Sequence, residues 1–161
     1  MIKNRGKSPM DYALGYLTKR DRTEYEMREY LEQMQFGEAD VDLCIDRLIE
    51  LNLINDAAYA DRFVKTRLAS KPLSKAHLKR QLAEHHIAAE HMQSALEEID
   101  PDTDETNARQ IAEKFYRQFA SLDAEKRKQR VLNRLLSRGF QTELCYRVYR
   151  EIDGRYEEET E

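Results

Sequence analysis

The sequence has few of the residues that interrupt helices, and it lacks a long apolar run. Among its 161 residues are five Gly, three Pro and two Cys, and 36% of the residues are charged. Scarce Gly and Pro favour helices and argue against a β-rich fold. No apolar run approaches the roughly 18 residues that span a bilayer, and the N-terminus lacks a signal peptide's apolar stretch. We therefore expect a soluble cytoplasmic protein that makes no membrane contact.

The residue patterns that carry chemistry are also missing. No glycine-rich loop precedes a Lys-Ser or Lys-Thr pair, so a phosphate-cradling loop is not expected. Asp100, Asp102 and Asp104 alternate as in a calcium loop, but Glu105 stands where such a loop needs Gly and Ile111 where it needs Glu. The four histidines have no Cys, Asp or Glu spacing that completes a zinc site. We expect no catalytic residue, no metal and no cofactor, and hence no enzyme.

What the sequence does contain is one apolar pattern repeated three times. A chance match of the fourteen later positions has a probability on the order of 10⁻⁶ at 40% apolar composition. The three sets are Met27, Leu31, Phe36, Val41, Cys44, Ile45 and Leu48; Leu78, Leu82, Ile87, Met92, Ala95, Leu96 and Ile99; and Val131, Leu135, Phe140, Cys145, Val148, Tyr149 and Ile152. The spacing within a set describes two amphipathic helices joined by a tight corner.

The repeat predicts an all-α fold of three tandem three-helix units, stacked into an elongated, curved helical-repeat array. Each unit is too small to bury a sufficient core alone, so neighbours must share one. The expected organisation is a mobile N-terminal arm over 1–7, units over 8–52, 53–100 and 101–153, and an acidic tail over 154–161. Repeat proteins of this kind present long surfaces and bind large partners more often than they do chemistry.

Local signals place several helix ends. Ser8-Pro9 begins the first helix, and Thr23 with Glu26 forms a capping box for the second. Ser74 is expected to cap a helix, and Gly139 to end one in the left-handed conformation. Cys44 and Cys145 belong to the repeated apolar pattern, which makes them reduced core thiols rather than a disulfide.

The net charge of −4 hides two basic segments. Residues 62–86 hold seven Lys or Arg against one acid, and residues 126–150 hold eight against one. Such faces suggest a polyanionic or mixed-charge partner, although an ordinary solvated face is the alternative. The candidate contact residues are Arg62, Lys65, Arg67, Lys75, Lys79, Arg80, Lys126, Arg127, Lys128, Arg130, Arg134 and Arg138.

Two of these cations take positions that are apolar in the first unit. Arg134 and Arg138 replace Tyr30 and Met34, and solubility alone does not explain cations at inward-leaning positions. Helical spacing predicts that Arg130 and Arg134 share a face, which Lys126 and Arg127 extend by one turn. No base-reading motif accompanies them.

Several stretches resemble the RecX family, bacterial regulators of the RecA recombinase. Residues 19–27 (KRDRTEYEM) are similar to the family's Arg-Asp-x-Ser/Thr-Glu-x-Glu-Leu signature. Leu53-Ile54-Asn55-Asp56, followed by Tyr59-Ala60, Phe63-Val64 and Arg67-Leu68, is similar to a second family pattern, and Leu78 and Leu82 before Ile87 to a third. The family commonly has Lys-Gly before the apolar corner residue, where this chain has Met34-Gln35, His85-His86 and Arg138-Gly139.

We expect a monomer. The resemblance implies a regulator that binds the RecA–DNA filament in its groove and restrains ATP hydrolysis and strand exchange. DNA, within that filament or on its own, is then a second partner. Two other readings of the residues stay open. One is a helical-repeat protein that acts on nucleic acid directly, and the other is a helical scaffold that binds an unrelated protein. Inhibition is the expected effect on RecA.

Overall fold

The structure is a computed structural model that describes residues 6–158, and these form nine α-helices and no strand. The all-α prediction is confirmed. The helices are α1 (Pro9–Leu17), α2 (Glu24–Gln33), α3 (Glu38–Glu50), α4 (Asp56–Ser70), α5 (Lys75–Glu84), α6 (Ala89–Glu97), α7 (Thr103–Gln118), α8 (Ala124–Leu136) and α9 (Thr142–Glu158).

The predicted N-terminal caps are present. Ser8 and Thr23 each accept from the backbone N–H three residues later, and the carboxylates of Asp11 and Glu26 accept in return, which completes two capping boxes. The Ser74 hydroxyl accepts from the His77 N–H at 3.0 Å at the start of α5. These caps satisfy backbone donors that a helix leaves unpaired at its first turn.

The repeated apolar pattern forms the core. Of its 21 positions, only Phe36, Met92 and Leu96 are half-buried, and the others are buried. Both thiols are free and buried, as predicted, and burial raises the pKa of Cys44 and of Cys145. At the same corner of each repeat, Gln35, His86 and Gly139 adopt positive φ values of 65°, 55° and 80°.

The hydrogen bonds at these three corners are equivalent. The N–H groups of Phe36, Ile87 and Phe140 donate to the carbonyls five residues earlier, at 3.3, 3.3 and 3.4 Å. This is the Schellman termination, in which a left-handed residue ends the helix and the apolar residue after it turns back onto the core. The predicted role of Gly139 is therefore confirmed.

The predicted end of the chain's helical part is wrong. The prediction ended the last helix near residue 153, whereas α9 continues to Glu158. Tyr156 explains the extension, because its ring is partly buried and stacks on Tyr116 of α7 with centroids 4.8 Å apart. Residues 1–5 of the predicted arm and 159–161 of the predicted tail lie outside the described residues.

The chain forms two compact bodies. The first comprises the described residues up to Phe63 together with Leu82–Ala95, and the second comprises Val64–Gln81 together with the described residues from Leu96 onwards. The middle three helices therefore contribute to both bodies. The boundaries 8–52, 53–100 and 101–153 remain predictions. No helix of the described residues is long and apolar enough to cross a membrane.

Candidate partner-binding surface

The basic candidates are concentrated in one of the two bodies. Eleven of the twelve lie in the second compact body, and Arg62 lies in the first. Six of the eleven belong to α8 or follow it directly, and the others lie in the second half of α4 or in α5. The structure thus brings most of the predicted cations into a body built around the core of α7, α8 and α9.

Three arginines of this body pack on aromatic rings of α7. The guanidinium of Arg127 lies 4.6 Å from the ring centroid of Tyr116, and those of Arg134 and Arg138 lie 5.1 and 5.3 Å from that of Phe115. Both rings are buried, so they present one face to the cations while the rest packs in the core. We call Arg127, Arg134 and Arg138 the arginine cluster. Ring contacts of this kind orient a guanidinium without neutralising it.

The equivalent positions of the first repeat show why arginine fits here. Tyr30 occupies the position that corresponds to Arg134, and its ring stacks on Tyr16 of α1 with centroids 4.0 Å apart. A guanidinium is planar and delocalised, so it can replace a ring that stacks on an aromatic face. The inward-leaning positions therefore keep their packing role in the third repeat while they acquire charge.

The arginine cluster has no neutralising partner among the described residues. None of its members lies within 4.0 Å of a carboxylate there, whereas Arg109 and Arg147 on the α7–α9 side pair with Glu105 at 2.8 and 2.9 Å. Burial, and then the neighbouring charge of Arg134, lower the pKa of Arg138. Two adjacent guanidinium groups without a counter-charge repel each other, and an anion placed between them would relieve that repulsion.

The N-terminus of α5 adjoins the end of α8. The Ser74 hydroxyl, which is fully buried, donates to the Arg138 carbonyl at 2.7 Å. On the same side, a Cβ atom built on Gly139 would lie 3.3 Å from Nη2 of Arg80. Arg80 therefore stands beside the end of the arginine cluster, and it extends that cluster onto a second helix.

The remaining candidates are not all available to a partner. Arg62 pairs with Asp21 at 2.8 Å, Lys65 with Glu98 at 3.7 Å and Lys126 with Asp123 at 3.0 Å. The Lys75 ammonium donates to the Ile99 carbonyl at 3.2 Å. The other four are distributed over α4, α5 and α8: Lys79 and Arg130 are exposed, and Arg67 and Lys128 are half-buried.

Ring contacts add to the grouping on α8 that helical spacing predicts. The sequence argument joined Arg130 to Arg134 and extended that face through Lys126 and Arg127. In the structure the ring contacts join Arg127 to Arg134 and Arg138, because steps of seven and four residues return a helix almost to the same direction. Phe115 and Tyr116 belong to the core, and an apolar pattern alone does not show their contact with arginine. The signal for that contact is the pair of adjacent aromatic residues on α7 together with two arginines seven residues apart on α8.

The resembling signature stretch builds a different feature. Oε1 of Glu26 lies 3.1 Å from Nη2 of Arg20 and 3.1 Å from Nδ1 of His85, and the Tyr59 hydroxyl lies 3.4 Å from that same nitrogen. Burial raises the pKa of Glu26, but the hydrogen bonds from His85 and Arg20 outweigh it and leave the pKa below its usual value. This network ties α2 to α4 and α5 within the first compact body. It has a structural role and does not belong to the basic surface.

The fold and this surface define a helical-repeat protein of three tandem three-helix domains with an arginine-rich face. Family models match all three domains in order: RecX, first three-helix domain, at residues 10–48; RecX, second three-helix domain, at 55–96; and RecX, third three-helix domain, at 102–149. Together they cover most of the chain. The chain belongs to the RecX family.

Relatives and solved structures agree with this assignment. A protein of Clostridium perfringens named "Regulatory protein RecX" is 30% identical over 142 residues, which are 87% of this chain and 66% of the relative. Its namesake in Amycolatopsis mediterranei is 28% identical over 149 residues, 92% and 85% of the two chains. The crystal structure of RecX from Lactobacillus salivarius superposes with a TM-score of 0.80 at 24% identity, covering 90% of this chain and 94% of that one, and it supports the fold.

Proposed function

We propose that this protein is a non-enzymatic regulator that binds the RecA–DNA filament and inhibits ATP hydrolysis and recombination by RecA. The observation that carries the proposal is the match of three RecX domains, in order, over most of the chain. The relatives are named regulatory proteins, which supports a regulatory role for this chain.

In this proposal the arginine cluster, together with Arg80, supplies the contact to anionic groups of the filament. Three guanidinium groups stand on one face, held by aromatic rings and without carboxylate partners within the described part of the chain. Phosphates and carboxylates accept paired hydrogen bonds from a guanidinium. A preorganised, uncompensated set of this kind favours a partner that brings its own negative charge.

Direct binding to DNA is the second candidate, and the same cluster favours it. An arginine surface without local acids suits a phosphate backbone as well as it suits an acidic protein surface. Contact with several phosphates releases counterions, so the logarithm of affinity falls steeply with the logarithm of salt concentration. A mixed-charge protein interface responds less. The salt dependence therefore separates the two candidates.

The test is the ATP hydrolysis of RecA on single-stranded DNA, measured with increasing amounts of this protein. We expect the rate to fall, and we expect the protein to co-sediment with the filament. If neither hydrolysis, strand exchange nor filament binding changes, the proposed function is wrong. Binding to DNA without RecA, at several salt concentrations, then decides whether DNA is the primary partner.

The role of the basic surface needs its own variant. A triple change, Arg127→Glu with Arg134→Glu and Arg138→Glu, should weaken filament binding at least tenfold and flatten its salt dependence. Arg47→Glu is the matched control, because Arg47 is an exposed arginine on α3 whose loss removes only its pair with Glu50. Circular dichroism checks that both variants keep the parental helix content. Equal binding by the triple variant would assign these arginines to a solvated face.

A further inference from the structure

A cleft of about 640 Å³ lies in the first compact body. The arginine cluster belongs to the other body, and the cleft is lined by acidic residues instead of basic ones. It forms where the start of α2, the turn between α3 and α4, and the corner between α5 and α6 come together. Its volume falls within the range of small-ligand pockets. Its wall combines an aromatic pair, carboxylates and small apolar side chains.

The aromatic pair is formed by Tyr25 and His86. Their rings stack with centroids 3.6 Å apart and planes inclined by 19°, and both residues are exposed at the cleft. His86 holds a φ of +55°, the conformation that the equivalent Gly139 adopts at no steric cost. This left-handed residue ends α5 as Gln35 ends α2, and the corner places the His86 ring against Tyr25.

The charge inside the cleft is negative. Asp56 is half-buried, and its Oδ1 accepts from the Glu24 N–H at 2.9 Å, which fixes the carboxylate at the cleft wall. Glu24 and Glu90 also line the cleft. Arg28 is the one arginine among the residues that line the cleft. It pairs with Asp42, outside the cleft, at 2.6 Å, and it also lies 4.0 Å from the Glu24 carboxylate. His91 lies 3.9 Å from the Glu90 carboxylate and also interacts electrostatically with Asp56, the carboxylate that the Glu24 N–H fixes.

The apolar part of the wall suits an aliphatic stem. Ile49 lines the cleft and is 45% exposed, so its side chain is accessible to a ligand there. Ala57 and Ala88 line it as well, and both are exposed. A ligand that carries a hydrocarbon chain and ends in a cation would cover these apolar atoms and reach the carboxylates at the same time.

We infer that this cleft binds an arginine side chain presented by a partner protein. The guanidinium would stack on the exposed Tyr25–His86 pair and pair with Asp56, while its methylene stem covers Ile49 and Ala88. Arginine meets these conditions because its head group is planar, remains charged and bonds carboxylates in pairs. The inference goes beyond the proposed function, since it concerns a second surface of opposite charge.

The probe is the peptide acetyl-Ala-Arg-Ala-amide, titrated into the full-length protein and followed by NMR at the ring resonances of Tyr25 and His86. The comparison peptide carries citrulline, which has the shape of arginine without its charge. We expect saturable shifts with the arginine peptide and at least fivefold weaker binding of the citrulline peptide. No saturable shift, or equal binding of the two peptides, would overturn the inference.

Variants locate the binding. Asp56→Asn keeps an oxygen that can accept from the Glu24 N–H and removes only the charge. It should therefore lower the affinity for the arginine peptide at least fivefold. Tyr25→Ala should lower it similarly. Asp46→Asn, at an exposed position of α3 outside the cleft, should leave binding unchanged. Parental affinity in Asp56→Asn, or equal losses in Asp56→Asn and Asp46→Asn, would refute the site.

The outcome is independent of the proposed function. The triple variant of the arginine cluster should bind the arginine peptide as the parent does, because the cluster lies in the other compact body. If the parent protein inhibits RecA but does not bind the arginine peptide, the inferred role of the cleft is wrong and the proposed function stands. If the parent protein binds the arginine peptide but does not inhibit RecA, the proposed function is wrong and the inferred role of the cleft stands.

Discussion

Gly139 lies against the buried hydroxyl of Ser74, so closely that a Cβ atom on Gly139 would come within 2.8 Å of Ser74 Oγ. The same hydroxyl donates to the carbonyl of Arg138 and accepts from the His77 N–H. The end of α8 and the start of α5 therefore share one hydrogen-bonding group. Neither side can move away from the other without leaving that buried hydroxyl unsatisfied.

Gly139→Ala should destabilise the protein by about 2–5 kcal/mol. A left-handed backbone costs a residue with a Cβ atom about 1–2 kcal/mol, and the collision with Ser74 adds an overpacking term of about 1–3 kcal/mol. Denaturant unfolding measures the change. Gly15→Ala is the control, since a Cβ atom there meets nothing within 4 Å and the residue lies within α1. It should stabilise, and equal effects of the two changes would contradict the proposed contact.

Gln35→Gly should stabilise the protein by about 0.5–1 kcal/mol. Gln35 is exposed and holds a φ of +65°, so glycine removes backbone strain and no buried contact, although it adds entropy to the unfolded chain. Thermal unfolding of the variant and the parent shows whether the stability rises or falls. His86→Gly removes the same strain but also the ring stack on Tyr25. It should therefore stabilise the protein less than Gln35→Gly does, or destabilise it. A loss in Gln35→Gly would show that its backbone is not strained.

Equivalent leucines of the three repeats should prove equally important. Leu31, Leu82 and Leu135 are each fully buried, and replacing any one by alanine should cost about 2–5 kcal/mol in the free energy of unfolding. Leu43→Ala serves as the control because Leu43 is 71% exposed on α3, and it should change stability by about 0.5 kcal/mol or less. A leucine whose removal matched this control would not belong to the repeated core.

Glu26→Gln should destabilise the protein by about 1–3 kcal/mol near neutral pH, since it removes the charge that binds Arg20 and His85. The folded state lowers the pKa of Glu26 from its ordinary value of 4.5. A lowered pKa adds stability that is fully present above the ordinary value and is lost as the pH falls through the folded value. The gap between parent and variant should therefore close in acid.

Unfolding curves between pH 7 and pH 3 test this prediction. Glu29→Gln, an exposed position on the same helix, should follow the parent at every pH. A gap between the parent and Glu26→Gln that stays constant down to pH 3 would show that the carboxylate charge is not what stabilises the network.

The fold was predictable because its signals are local or periodic. Ser8, Thr23 and Ser74 bond to atoms three residues away, and the apolar positions recur at helical spacing, so both can be read from the sequence. The end of α9 could not be read in this way. Its last turns depend on Tyr156 stacking on Tyr116, forty positions earlier in the chain.

The composition of the basic surface could be predicted from the sequence, but the ring contacts that hold it could not. Charge counts identify the basic segments, but ring contacts with α7 decide that Arg127 belongs with Arg138. The acid-lined cleft left no sequence signal at all. It depends on Asp56 accepting from a backbone group 32 residues away and on His86 meeting Tyr25.

The shared position of Tyr30 and Arg134 has a consequence for how such chains diversify. A planar side chain can pack at this position whether it is neutral or charged. One substitution can therefore replace an aromatic surface by a cationic one while the helices keep their packing. The three repeats place Tyr30, Gln81 and Arg134 at that position, so only the third repeat carries a cation there. Grafting Tyr30→Arg and Met34→Arg into the first repeat is thus a direct route to a chain with two cationic faces.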